Sequence, residues 1–147
     1  MAWLYLLFAF AGGVALPFQA GINAELAEWL GSPVRAAFVS FLVGTLVLLV
    51  AATLVFKPLP SWGRLGDAPW WVWVGGALGA FYVAASIVSA PKLGAATLIA
   101  LVVAGQGVAS VVVDHFGWVG FEPRHVTPGR LVGIALVGAG VLLVRVF

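Results

Sequence analysis

The sequence predicts an all-α integral membrane protein with five transmembrane helices, and three observations carry that expectation. Of 147 residues, 63% are hydrophobic and 8% charged, against roughly 25% charged in soluble domains, so lipid is the solvent the chain is built for. Residues 1–24, 36–56, 68–91 and 93–113 contain no Asp, Glu, Lys or Arg, and a helix needs roughly 20 mainly apolar residues to cross a bilayer. These runs are continuous, whereas the strands of a membrane barrel would be segments of about ten residues alternating apolar and polar.

Taken in order, the spans are expected near 3–22, 34–56, 70–90, 93–114 and 128–146, forming a single transmembrane domain over residues 1–147. The first ends in "LPFQAGINAEL", residues 16–26, where the charge-free run gives way to Glu25. The second follows Pro33, a residue suited to the first turn of a helix. The stretch "KPLPSWGRLGDAP" (57–69) reads as a proline-rich turn, and beyond it Trp70, Trp71 and Trp73 are expected at the headgroup belt. A tight link at "SAPKLG" joins spans three and four, and "HFGWVGFEPRHVTP" joins four and five. The fifth run, 131–144, spans only with Arg130 at the interface, its guanidinium reaching headgroups along an apolar stem. A cleaved signal peptide is not expected, because no basic residue precedes the first run and no convincing small-x-small site follows it.

Five spans put the termini on opposite sides, and the basic residues divide almost evenly between those sides. Lys57, Arg64, Arg124 and Arg130 share the N-terminal side; Arg35, Lys92 and Arg145 share the other. Basic residues ordinarily concentrate on the cytoplasmic side. Four against three is almost no bias, so the chain is expected to insert in both orientations and to pair with an inverted copy as an antiparallel homodimer of ten helices. That arrangement would reproduce, from two molecules, the inverted repeats that many transporters carry within one chain.

Polar residues inside the spans are the candidate site. Gly12, Leu16, Gln19 and Asn23 share one face of the first helix at i, i+4, i+7 and i+11. Their amides would be costly against lipid, so they either hydrogen-bond a partner helix or the interface, or line a cavity. In the third helix Gly75, Gly79, Tyr82, Ser86 and Ser89 make a stripe, small at one end and polar at the other; the serines could equally bond carbonyls of their own helix. In the fourth, Gln106, Ser110 and Asp114 recur at i, i+4 and i+8. Gln106, near mid-span, is the best single cavity candidate. Asp114 sits at a helix C-terminus, where the dipole disfavours negative charge, so a partner such as His115, Arg124 or Arg130 is expected, either as a surface ion pair or in coupling protons or ions. The fifth helix, with Gly129-x-x-x-Gly133 and Ala135-x-x-x-Ala139, reads as a packing or dimer helix and not as a pore wall.

No enzyme is expected. His115 and His125 lack the carboxylates and spacing of a metal site, and there is neither a nucleophile elbow nor a phosphate loop. No cofactor is implied, a net charge of +2 is too slight and scattered for nucleic acid, and the chain has no cysteine.

"QAGINAEL" in the first span, "SFLVGTL" in the second, "GGALGAFYV" in the third, "PKLG" after it and above all "GQGVASVVVDHFG" in the fourth resemble the YdcZ family. These half-length, five-helix proteins belong to the drug/metabolite transporter superfamily and are related to ten-helix EamA-type transporters and, more distantly, to small multidrug resistance proteins. The resemblance covers essentially the whole chain. It implies a subunit of the inner (plasma) membrane that pairs with an inverted copy, or with a close relative, around a cavity walled by helices one to four. Gln19, Asn23, Gln106 and Asp114 match its polar positions. One departure is plain: small multidrug resistance proteins rely on a glutamate within the first helix, whereas here Glu25 comes where the span is expected to end, reaching a cavity only if the helix continues through Trp29. Otherwise the lining is mainly amides and hydroxyls, which favours small neutral or zwitterionic solutes over multivalent cations. The expected function is therefore secondary transport by alternating access, with Tyr82 and Ser86 as further lining. A passive channel, or a structural subunit needing a different partner chain, is the alternative.

Overall fold

The computed structural model describes residues 2–54 and 66–147. Among these, five helices are long and apolar enough to cross a membrane: α1 (Ala2–Leu30), α2 (Pro33–Leu54), α3 (Val74–Leu93), α4 (Ala95–Phe116) and α5 (Pro128–Val146). The last two residues of the expected second span, and residues 57–65 of the turn after it with Lys57, Ser61 and Arg64, lie outside the described residues.

α1 runs eight residues past its expected end at 22. The charge at Glu25 marks where lipid solubility falls, but it does not stop a helix, since Glu, Leu and Ala are all good helix formers. What stops it is Gly31, in the left-handed region at φ 62°. The Gly31 amide donates to the Glu28 carbonyl at 3.3 Å and the Ser32 amide to the Ala27 carbonyl at 3.1 Å, the paired bonds that close a glycine-terminated helix. The Arg35 guanidinium then donates to the exposed Leu30 carbonyl at 3.4 Å. Pro33 opens α2 at once, with the Ser32 hydroxyl accepting from the Arg35 amide at 3.4 Å. Within α1, Pro17 brings no amide hydrogen, so the Gly13 carbonyl loses its helical donor, yet the helix continues through it.

Trp70–Trp73 form a 3-10 turn that leads into α3. The expected link at "SAPKLG" shrinks to a single residue, Gly94, at φ 75°, because α3 continues through Pro91 to Leu93. A proline in a last turn removes only one helical hydrogen bond, so it does not end the helix early. α4 ends on Gly117, left-handed at φ 64°, whose amide donates to the Val113 carbonyl. A Cβ at this position would stand 2.7 Å from the Pro123 ring, so the chain folds back against itself there in a way only glycine admits. α5 starts where the sequence places it, with the Thr127 hydroxyl accepting from the Arg130 amide at 3.4 Å and Pro128 in the first turn.

The described chain falls into two units. One comprises α1 as far as Pro17 together with α4 and α5; in it α4 packs along α5, with Gly107 facing Ile134. The other comprises α1 from Phe18 with α2 and α3. Its core is Ala36 and Ala37 of α2 against Val83 and Ile87 of α3, flanked by Leu26, Ala27 and Leu30 of α1. Small residues on α2 opposite branched ones on α3 let two backbones approach closely, the usual packing device where lipid removes the hydrophobic drive between helices. Gly79 serves the same contact, lying against the Phe41 ring. Most large apolar side chains of all five helices remain exposed on the chain, the surface expected where lipid is the solvent.

Candidate functional site

In the unit of α2 and α3, a pocket of about 200 Å³ opens between α1 and α2, lined by Gln19, Ser40, Phe41, Gly44, Thr45 and Leu48. The α2 members fall at i, i+1, i+4, i+5 and i+8, one helical face, and Gly44 at its centre supplies the space. Three of the six side chains carry polar atoms, and none is ionisable. Two other hydroxyls in the spans turn to their own helices: Thr53 donates to the Leu49 carbonyl at 2.8 Å and Ser110 to the Gly107 carbonyl at 2.9 Å. Among the described residues, no such bond occupies Gln19, Ser40 or Thr45.

Asn23, one turn beyond Gln19, is only 5% exposed and so faces the interior of the unit rather than the pocket mouth. Tyr82 packs against the Ala36–Ile87 core, and Ser86 is buried; neither lines the pocket. Glu25 does fall on a helix that continues through Trp29, but its carboxylate is exposed and accepts from the Trp29 indole at 3.3 Å. Gln106, in the other unit, is exposed at the middle of α4. Sequence reasoning did not single out Ser40 and Thr45, although both stand in "SFLVGTL", and Gln19 stands in "QAGINAEL". The pocket is thus lined almost wholly by two of the stretches on which the family resemblance rests.

In the unit of α4 and α5, the Arg130 guanidinium donates to the Asp114 carboxylate at 2.9 Å. Its second arm reaches the Arg124 carbonyl at 3.5 Å, and the Arg124 amide donates to the Asp114 carbonyl at 2.7 Å. Each charge stands at the unfavourable end of its helix, the carboxylate in the last turn of α4 and the guanidinium in the first turn of α5. Pairing them cancels both misfits and ties the two helices end to end. The pair sits at the edge of a groove of about 220 Å³ that runs between the helices past Ser110, Gly107 and Gly133. Beside it the His115 and His125 rings meet edge to face at 5.8 Å, and His115 Nδ1 is buried without a partner. Among the described residues no three metal-ligating side chains gather.

With its side chains 32% and 24% exposed, the pair lies between an exposed bridge, about 0.2–1 kcal/mol, and a buried one, where deleting a partner costs about 3–5 kcal/mol. Arg130→Ala is expected to lower stability in detergent by about 1–2 kcal/mol on that scale. Arg130→Lys should recover only part of the loss in a thermal scan, since an ammonium cannot span both acceptors as the fork does. Equal stability of all three proteins would show that the pair holds nothing together.

The profile of a family described as "Putative inner membrane exporter, YdcZ" matches residues 4–143. The chain is also 32% identical, over 143 residues, to "Inner membrane protein YdcZ" of Escherichia coli (strain K12), an alignment covering 96% of this chain and 94% of that protein. No solved structure matches.

Proposed function

Because the chain belongs to the YdcZ family and is a multi-pass protein of the inner membrane, we propose that it is an exporter-type secondary transporter that works as an antiparallel homodimer. A small solute crosses by alternating access to a central cavity between the two copies, and no chemical conversion of the solute is involved. The observation that carries this reading is Gln106, exposed on the chain at the centre of α4. A carboxamide left facing hydrocarbon would forgo all its hydrogen bonds, at a cost of several kcal/mol. A second copy enclosing a hydrated cavity removes that cost. The near-even split of basic residues between the two sides favours an inverted copy over a parallel one. Inversion also makes the two facings equal in energy, because exchanging the conformations of the subunits converts one facing into the other.

Orientation is the test. Single cysteines at Asp67 and, separately, at Phe147, both exposed and on opposite sides by the span count, are labelled with a membrane-impermeant maleimide added outside intact cells. About half of the molecules should label at each site. Complete labelling at one and none at the other would mean a fixed orientation and rule out the inverted homodimer. Solute counterflow in vesicles then separates carrier from channel, since only a carrier drives labelled solute against its gradient by exchange.

A further inference from the structure

We infer that the α1–α2 pocket is the solute-binding surface of each subunit, and that it takes an uncharged solute bearing both hydrogen-bond donors and acceptors. This rests on the transporter reading and narrows it. Gln19 offers an amide that donates and accepts, Ser40 and Thr45 offer hydroxyls that do both, and all three are free of protein partners among the described residues. Polar groups without protein partners at the wall of an open pocket, as the exposed Gln19 and Thr45 are, are satisfied by water or by a solute that replaces that water bond for bond.

The same lining excludes charge. None of Gln19, Ser40, Phe41, Gly44, Thr45 and Leu48 is ionisable, so a cation or an anion entering would give up its hydration with no opposite charge in the wall to replace it. A zwitterion fares little better, because each of its charges needs its own counter-charge, and the lining has neither sign. Of the charges on the described helices, Glu25 accepts from Trp29, Arg35 donates to the Leu30 carbonyl and Asp114 holds Arg130, and no charged residue of those helices lines the pocket. Each subunit contributes about 200 Å³ to the cavity between the copies. The wall is amphipathic, since Phe41 and Leu48 share the α2 face with Ser40 and Thr45. A solute with one hydrocarbon edge and one amide- or hydroxyl-bearing edge matches it.

The chain's lack of cysteine allows a direct test in native membranes with Thr45→Cys and, as a near-isosteric second variant, Ser40→Cys. Each is treated with three methanethiosulfonates: the neutral methyl reagent, the cationic trimethylammonium-ethyl reagent and the anionic sulfonatoethyl reagent. Rates are divided by those of a free thiol in solution. The neutral reagent is expected to react at least about tenfold faster than either charged one, since a charge at this uncharged wall gives up hydration with no opposite charge to replace it. Equal normalised rates for all three would overturn the exclusion of charge. Silence with all three at both positions would place these side chains against lipid or packed protein, and the pocket would not be a solute site. Orientation labelling at Asp67 and Phe147 is read on the same membranes. Half labelling there with a failed reagent pattern condemns the pocket alone, whereas all-or-none labelling condemns the dimer.

Discussion

Gln106→Leu is expected to reduce transport by about thirtyfold while leaving the protein dimeric. Each hydrogen bond lost from a site is worth about 0.5–1.5 kcal/mol, an antiparallel dimer loses one from each copy, and every 1.4 kcal/mol is a factor of ten. Assembly should not suffer, because leucine is at home in lipid and in helix contacts alike, and the substitution removes an amide that hydrocarbon penalises. Transport in proteoliposomes, paired with crosslinking or light scattering of the purified protein, separates the two effects. If the dimer dissociates and transport falls in proportion, Gln106 is an interhelical hydrogen bond and not part of a solute path.

Ile87→Ala should cost about 2 kcal/mol of stability, towards the lower end of the 2–5 kcal/mol known for such truncations. Ile87 is 2% exposed and sits against Ala36, which is fully buried. In water the loss would combine a transfer term with a cavity term. In a membrane the separated helices are already in an apolar medium, so the transfer term nearly vanishes and the lost packing remains. Ala36 cannot move in to fill the space, since its side chain is a single methyl group on a backbone held by α2. Unfolding in mixed micelles of increasing sodium dodecyl sulfate reads the change. A loss below about 0.5 kcal/mol, the level of an ordinary surface substitution, would mean that the α2–α3 contact is not a packed core.

The number and order of the spans are legible because lipid imposes one rule on every residue of a crossing helix, and absence of charge over some twenty positions expresses it. Helix ends obey other rules. Hydropathy stops at Asn23 and the helix at Leu30, and the signal for the true end is the Gly31-Ser32-Pro33 sequence, which reports backbone conformation and not solubility. Pro91 misled in the opposite sense: it suggested a link, but a last turn tolerates it, and Gly94 makes the turn instead. Asp114 advertised its need for a partner through its place at a helix end, and the sequence offered His115, Arg124 and Arg130 alike; only the fold of the link brings Arg130 to 2.9 Å. Gln19 stood out because amides are rare in such spans. Ser40 and Thr45 did not, since hydroxyls are common there and usually bond their own helix, as Thr53 does. The residue that faces them across the pocket, Gln19, is on another helix, and no periodicity within α2 could reveal it.

The Asp114–Arg130 pair bears on how the chain enters a membrane that carries a voltage. Between residues 114 and 130 two carboxylates, Asp114 and Glu122, stand against two guanidiniums, Arg124 and Arg130, a formal charge of zero. A membrane potential does work of about 2.3 kcal/mol per elementary charge per 100 mV, and on a segment of zero net charge it does none. Translocating this link therefore neither gains from the cell's electrical gradient nor works against it, so the charges on which the gradient acts in this part of the chain are Lys92 and Arg145, outside the link.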